Sequence, residues 1–289
     1  MHNFNGMRKS LQLLLFLILL PCMACAQDLC RITYISNEGF LVELPGKKVL
    51  IDGLFDQIDG DWCDSPDEQT VELMEIAAPP FDQVDLIAIT HKHIDHFDEG
   101  VVVKHLLNNP AGRVVCPKQV REVLEQNPDY EKIKDRIVSL TPAELRDSTV
   151  MVSGIPIRVM RLEHSHYMEQ DSIGGMKNRH RDIENLGFLL DIGGVKIFHC
   201  GDTNPRNRDE YSTYALQDDS IDVAFLERMF VASGKEGMAV INEFIQAEHT
   251  VFMHIGPANR EAFAAHFREV DNVTIFEEKM ASIQIDIHP

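Results

Sequence analysis

The sequence predicts an α/β protein, and two observations support this class. First, apolar and β-branched runs alternate with helical patterns through the middle of the chain, as strands and helices do in α/β proteins. Second, an aspartate or a histidine lies at or just beyond the end of five predicted strands: Asp52, His91, His164, Asp202 and His254. Because α/β folds build their sites on loops at the carboxyl ends of strands, this recurrence predicts one site supported by a sheet.

The first 26 residues are typical of a secretory signal peptide. Arg8 and Lys9 precede an almost wholly apolar run at 11–20, and the small-residue site Ala24-Cys25-Ala26 follows it. The apolar run is too short for a comfortable membrane span, so we expect no stable span after cleavage.

Cleavage after Ala26 would leave one exported domain, 27–289, in the periplasm or outside the cell, because no linker or low-complexity run divides it. Lipidation of Cys22 or Cys25 is the alternative, although the residues before each cysteine match a lipobox poorly. The signal contains two basic residues and no acidic ones, so the net charge of -19 becomes -21 in the mature chain. Such a charge disfavours nucleic acid as a partner. The sequence does not predict an oligomeric state.

The predicted elements begin with three short strands in a row, which suggest a meander. The long segment 53–80 contains the sole tryptophan, Trp62, either as a plug at the domain edge or as part of a lid over the substrate. The remaining predicted strands lie at 84–90, 113–116, 136–140, 155–162, 186–191, 195–199, 221–226, 250–254, 273–276 and 282–287, after the first three at 31–36, 40–44 and 48–52. The predicted helices lie at 70–77, 98–109, 118–126, 237–246 and 259–267.

The stretch from Thr90 to His96 reads Thr-His-Lys-His-Ile-Asp-His and follows a predicted buried strand. Three imidazoles and a carboxylate at this density indicate a metal site. In extended backbone His91, His93 and Asp95 would project to one side, because alternate side chains share a face. His96 breaks this period where the next helix begins, so we expect it to point at a second position nearby.

This H-x-H-x-D-H motif resembles the signature of the metallo-β-lactamase superfamily. With the aspartates and histidines at the other strand ends, the resemblance extends from about Ile32 to His288. It implies an αββα sandwich of two mixed sheets flanked by helices. The segments 185–190 and 198–203 resemble the branch that includes ascorbate-6-phosphate lactonase-like proteins.

The resemblance also implies the ligands of two zinc-like ions, with manganese and iron left open. The first ion would be held by His91, His93 and His164, the second by Asp95, His96 and His254, and both by Asp202. Asp52 would orient the central loop from behind the ligands.

The third histidine ligand of the first ion can be either His164 or His166, because the chain lacks the G-H-T-x-G form common in the superfamily. Alternation in an extended strand end places both imidazoles on one face. We favour His164 because the next loop begins there.

The implied function is a hydrolase in which a hydroxide that bridges two ions cleaves an ester, a lactone or a phosphodiester. Two divalent ions carry four positive charges, and Asp95, Asp202 and the hydroxide carry three negative charges. The remaining positive charge can polarise a substrate oxygen, and the hydroxide is a nucleophile. Asp95 and Asp202 are therefore the predicted catalytic carboxylates. The alternatives are a β-lactamase-like amide hydrolase and a metal-dependent sensor or binding protein without catalysis.

The loop 167–185 contains a basic cluster, Lys177-Asn-Arg-His-Arg181, in an otherwise acidic chain. It predicts a small anionic substrate held by Arg179 or Arg181, because a guanidinium can bind a carboxylate or phosphate at two points. His180 would also reach the cleft, and His166 would contact substrate. The competing interpretation is a solvated loop whose cations are balanced by its own acidic residues, Glu169, Asp171, Asp182 and Glu184.

Overall fold

The structure, a computed structural model, describes residues 29–60, 62–171 and 174–286. The predicted signal peptide at 1–26 lies outside the described residues, as does His288. No helix in the described part of the chain is long and apolar enough to cross a membrane. Cys30, Cys63, Cys116 and Cys200 are buried free thiols.

The strands, in chain order, are β1 (Leu29–Ser36), β2 (Gly39–Leu44), β3 (Lys47–Ile51), β4 (Leu86–Ala88), β5 (Arg113–Cys116), β6 (Ile137–Ser139), β7 (Asp147–Val152), β8 (Ile155–Leu162), β9 (Met168–Gln170), β10 (Met176–Asn178), β11 (Asn185–Ile192), β12 (Val195–His199), β13 (Val223–Glu227), β14 (His249–Met253), β15 (Val273–Ile275) and β16 (Ser282–Asp286). The helices are α1 (Glu68–Glu75), α2 (Glu99–Asn108), α3 (Lys118–Leu124), α4 (Arg208–Tyr214), α5 (Met229–Ala232), α6 (Lys235–Val240) and α7 (Pro257–Phe267).

Two seven-stranded sheets contain most of these strands. The first has the order β16-β1-β2-β3-β4-β5-β6, in which the predicted meander β1-β2-β3 is antiparallel and β3 to β6 are parallel. The second has the order β15-β14-β13-β12-β11-β8-β7, with β12 to β15 parallel and the rest antiparallel. Both sheets are therefore mixed. β9 and β10 form a separate hairpin.

The main hydrophobic core fills the space between the two sheets. Phe40 of β2 and Phe225 of β13 meet there with ring centroids 4.4 Å apart. On the other face of the first sheet, Leu41 and Leu50 pack in a second core with residues of α1, α2 and α3. Residues of α4, α6 and α7 cover the outer face of the second sheet and belong to the main core. The layers are helix, sheet, sheet and helix, so the predicted αββα sandwich is confirmed.

Local signals explain where several elements begin. Asp67 and Asp98 cap α1 and α2, accepting hydrogen bonds from the backbone amides of Thr70 and Val101. The chain also has elements that the sequence pattern did not predict, among them β7 and α4. β7 is an edge strand with mostly exposed or half-buried residues, and α4 has no long apolar stripe, so neither has a strong periodic pattern. The helix predicted at 237–246 is α6 followed by a π-helical turn, Ile241–Ile245.

The parallel strands explain why one edge of the sandwich is rich in polar side chains. β3 and β4 of the first sheet run parallel, as do β12, β13 and β14 of the second, so their carboxyl ends and following loops lie together. An isolated bridge between His164 and Thr203 also joins the loops after β8 and β12.

Candidate metal centre

Asp52, one residue beyond β3, organises the loop that follows β4. Its backbone has a positive φ of 45°, and its buried carboxylate accepts hydrogen bonds from the backbone amide of Thr90 at 2.7 Å and from Thr90 Oγ1 at 2.5 Å. The same carboxylate lies 2.9 Å from His96 Nδ1. Asp52 therefore fixes both the start of the loop and the orientation of one of its imidazoles.

The first donor group consists of His91, His93, His164 and Asp202. His164 Nε2 lies 3.3 Å from His91 Nε2 and 3.2 Å from His93 Nδ1, and the latter two nitrogens are 3.0 Å apart. Asp202 Oδ2 is 3.6 Å from His164 Nε2 and 4.0 Å from His91 Nε2. Three imidazole nitrogens and a carboxylate oxygen thus converge on one point.

Hydrogen bonds on the far side of the rings leave lone pairs directed to that point. Thr90 Oγ1, which donates to Asp52, can accept from His91 Nδ1 at 3.0 Å, and the Ser165 carbonyl can accept from His164 Nδ1 at 3.0 Å. Burial lowers the pKa of His93 to about 4 and that of His164 to about 3. These imidazoles are therefore neutral at physiological pH, the form in which histidine binds metal.

The second donor group contains Asp95, His96 and His254, again with Asp202. His96 Nε2 is 3.6 Å from Asp95 Oδ2 and 3.5 Å from Asp202 Oδ1. His254 Nε2 is 3.4 Å from the same Asp95 oxygen and 3.7 Å from the same Asp202 oxygen. The two oxygens of Asp202 therefore face different groups, Oδ2 the first and Oδ1 the second.

The residues present fit a cation at the second group. His96 Nε2 and Asp202 Oδ1 are buried and have no hydrogen-bond partner among the described residues, although they lie close together. Burial opposes protonation of His96, but Asp95 and Asp202 outweigh it and raise the pKa of this imidazole well above its usual value. The surrounding carboxylates thus favour positive charge at this position.

Two buried glutamates also belong to the site and were missed by the sequence analysis. Glu38 lies in the turn between β1 and β2, and its Oε2 is 3.6 Å from His96 Nδ1. Glu227 ends β13, with Oε1 3.9 Å from His254 Nδ1. Burial and the Asp202 charge raise the pKa of Glu227 to about 8 and that of Glu38 well above its usual range. The rule that polar residues at strand ends form the site, applied to β1 and β13, would have found both.

The centre opens into a cleft of about 850 Å³. His93, Asp95, Asp202 and His254 form its floor, since they belong both to the donor groups and to the lining. Further lining residues are Trp62, Lys92, Ile94, Ser165, His166, Tyr167, His180, Asn204, Pro205, Arg206, Glu227, Arg228, Met229 and Ser233. Trp62 is 55% exposed and lines this cleft, so it does not plug the domain edge.

Of the four residues predicted to contact substrate, two line the cleft and two lie away from it. His166 and His180 line the cleft, and the His180 ring centroid is 4.3 Å from that of His164. Arg179 instead pairs with Glu169, and Arg181 lines a different depression. The structure does not bring the two arginines to the cleft, because their loop folds back on itself as the β9-β10 hairpin.

Comparisons with known proteins agree with this geometry. The chain matches the family described as beta-lactamase superfamily domain over residues 47–267. A UPF0173 metal-dependent hydrolase of a Polaromonas species is 24% identical over 205 residues, which are 68% of this chain and 68% of that protein. The UPF0173 protein YddR of Bacillus subtilis is 21% identical over 258 residues, 86% of this chain and 90% of that protein.

Among solved structures, Igni18, a novel metallo hydrolase from the archaeon Ignicoccus hospitalis, has the same fold, with a TM-score of 0.56. It is 15% identical, and the superposition covers 90% of this chain and all of that chain. The family match covers most of the chain, and its bounds enclose every histidine and aspartate of the two donor groups. The chain therefore belongs to the metallo-β-lactamase superfamily of metal-dependent hydrolases.

Proposed function

We propose that this protein is a dinuclear metallo-hydrolase that cleaves an ester, lactone or phosphodiester bond in a small anionic substrate. The observation that carries the proposal is the pair of donor groups that share Asp202 at the floor of a cleft. A structural metal site is closed on all sides, whereas a catalytic site opens toward substrate.

When bound, two divalent ions would polarise a carbonyl or phosphoryl oxygen and supply a bridging hydroxide at neutral pH. His91, His93 and His164 are neutral nitrogen donors, which suit zinc at the first group. Asp95 and Asp202 reduce the excess positive charge and face the cleft. His96 is held by Asp52, so the donors are ordered by the protein itself.

The cleft contains cations that suit an anionic substrate. Lys92 and Arg228 line it, and neither pairs with a carboxylate within the described ranges. Arg206 also lines it, with Nε 3.6 Å from Glu236. We assign the anion-binding role to Lys92 and Arg228, because an unpaired cation beside the donors can bind a substrate carboxylate or phosphate.

Apolar side chains occupy the rest of the opening. Ile94 and Tyr167 are 63% and 56% exposed, and Trp62 and Met229 lie beside the same space. Exposed apolar side chains in a cleft indicate contact with an apolar part of a ligand. We therefore expect a substrate that joins a negative group to an apolar portion.

Metal analysis and a substrate panel test the proposal. The reconstituted protein should contain about two ions per chain and should hydrolyse an aryl ester, a lactone or bis(p-nitrophenyl) phosphate. Asp202→Ala should weaken the binding of both ions and abolish turnover, because the Asp202 carboxylate faces both donor groups. A protein that binds no metal after reconstitution would refute the proposal.

The same panel separates the competing functions. Preferential turnover of a β-lactam would identify an amide hydrolase with the same centre. Two bound ions without turnover of any substrate class would favour a sensor or binding protein. The narrower resemblance to ascorbate-6-phosphate lactonase-like proteins predicts that lactones are hydrolysed best.

A further inference from the structure

Glu38 is a buried carboxylate of the centre, and its Oε2 lies 3.6 Å from His96 Nδ1, too far for a hydrogen bond. Its residue is 0% exposed, and neither Oε1 nor Oε2 has a hydrogen-bond partner within the described part of the chain. The backbone carbonyl oxygen of Glu38, in contrast, lies within hydrogen-bond distance of His199 Nε2, at 3.2 Å. A carboxylate removed from water without partners is costly, so such a group in a folded protein calls for a bound cation or proton.

The donor atoms around Glu38 indicate where this cation would lie. One of the Glu38 oxygens forms a group with donor atoms of His96, Asp202 and His254, and all of these atoms lie within 4.8 Å of one another. Glu38 also forms a group with Asp52 and His199, but the Asp52 oxygens already accept hydrogen bonds from Thr90. Bonds from a metal to nitrogen or oxygen are about 2.0–2.2 Å, so ligands of one ion lie within roughly twice that distance of each other. His96 Nε2 and Asp202 Oδ1, residues of the same group, also have no hydrogen-bond partner among the residues that the structure describes.

The turn that contains Glu38 is tightly held against the centre. Asn37 Nδ2 donates to Asp95 Oδ2 at 3.0 Å, and the Asn37 carbonyl accepts from the His254 amide at 3.3 Å. A Cβ on Gly39 would lie 2.9 Å from the Asp52 carbonyl oxygen, so only glycine permits this close approach. The β1-β2 turn therefore contacts three of the residues that build or support the second group.

We propose that Glu38 is a ligand of the ion held by Asp95, His96, Asp202 and His254. This inference rests on the proposed dinuclear function and extends it. The second position then has three carboxylates and two imidazoles, whereas the first has three imidazoles and one carboxylate. Because oxygen-rich sites suit Mn²⁺ and imidazole-rich sites suit Zn²⁺, the two positions differ in metal preference.

Substitution by glutamine tests the role of Glu38, since glutamine keeps the size of the side chain and removes its charge. Cobalt(II) is the probe, because its visible absorption is weak with six ligands and becomes stronger as ligands are lost. In the wild type the second equivalent of Co²⁺ should add little absorption, since five protein donors and the hydroxide would give six ligands. In Glu38→Gln it should bind about tenfold or more weakly and add a stronger band, as four protein donors and the hydroxide remain.

Glu227→Gln is the matched control, because Glu227 is another buried carboxylate beside the centre, but its oxygens belong to neither donor group. Its second Co²⁺ equivalent should keep the weak absorption of the wild type. Circular dichroism and thermal unfolding of the metal-free variants check folding. If Glu38→Gln does not fold, Glu38→Asp, which withdraws the carboxylate by one methylene, should show the same stronger band.

The outcomes separate this inference from the proposed function. A wild type that binds no ions refutes the proposed function. A wild type with two ions and a Glu38→Gln variant with an unchanged second spectrum refutes only Glu38 as a ligand, and indicates a neutral carboxyl bonded to Asp202. An equal loss of affinity for both Co²⁺ equivalents also overturns the assignment, because Glu38 would then act through the shared Asp202. Weaker binding of the second Co²⁺ equivalent alone, together with its stronger absorption, supports Glu38 as a ligand.

Discussion

At the scale of single residues, His164 and His166 differ in environment although only one residue separates them. His164 is 2% exposed, and its Nε2 points at His91 and His93. The His166 side chain is 46% exposed, with Nε2 2.8 Å from Glu163 Oε1. The bridge to Thr203 and the bond from the Ser165 amide to the Asp202 carbonyl hold this strand end in place. The geometry therefore favours His164 as the ligand.

We expect His164→Ala to lower the affinity for the first ion by at least about 100-fold, since even residues that only support ligands cost 10–100-fold. Turnover should fall with it. His166→Ala should keep both ions and change only KM or kcat, because this side chain lines the cleft. Elemental analysis of the dialysed variants measures the difference. Loss of metal from His166→Ala alone would show that the register at this strand end is wrong.

At the scale of elements, the β9-β10 hairpin explains why its cations do not face the centre. Lys177 is opposite Glu169 in the hairpin register, and Glu169 also pairs with Arg179. The hairpin thus neutralises part of its own charge. His180 follows the hairpin and turns inward, where its ring lies against those of His93 and His164.

Two double variants compare the hairpin with the loops that line the cleft. Lys92→Ala with Arg228→Ala should raise KM about tenfold or more for an anionic substrate, because a hydrogen bond to a charged group contributes about 1.5–3 kcal/mol. Arg179→Ala with Arg181→Ala should leave KM nearly unchanged. Both should retain their metal. Steady-state kinetics with the best substrate of the panel measures the effect, and the reverse ranking would return the anion-binding role to the hairpin.

At the scale of the whole molecule, the metal centre joins the two sheets. The loop after β4 of the first sheet contributes His91, His93, Asp95 and His96. The second sheet contributes His164, Asp202 and His254 through the loops after β8, β12 and β14. Each donor group therefore has members from both sheets, so bound ions would stabilise their packing as ligands of the folded state do.

The two positions should lose their ions at different pH values. Burial keeps the pKa of His93 at about 4 and that of His164 at about 3, so a first ion displaces no proton from them above about pH 4. Burial opposes the charge on His254, but Asp202, Asp95 and Glu227 outweigh it and raise its pKa to about 9. A second ion must displace that proton and also the proton of His96, whose pKa is raised as well, so its affinity should fall by at least about tenfold for each pH unit below 9.

Equilibrium dialysis followed by elemental analysis measures this dependence. We expect about two ions per chain near pH 8.5 and about one near pH 5.5. The rise in Tm on adding metal should shrink over the same interval, since less ligand is bound to the folded state. Parallel loss of both ions would contradict the difference between the positions.

The sequence by itself determined the fold class, the order of most elements and the residues of the central motif. Buried strands need continuous apolar runs, and a metal needs several donors, so both leave a local pattern that can be read in one dimension. The family match and the αββα layers confirm the resemblance that this motif indicated. The predicted signal peptide lies outside the described residues and stays a prediction.

Only the tertiary structure decided which side chains share a space. Glu38 and Glu227 are single acidic residues in the sequence, and they join the centre because β1 and β13 end at the same edge of the sandwich. Arg179 and Arg181 lie near His164 in the chain but are turned away by a hairpin whose pairing is not encoded in local periodicity. Spacing along the chain fixes local geometry, whereas convergence of distant loops depends on strand order and sheet packing, which no local pattern specifies.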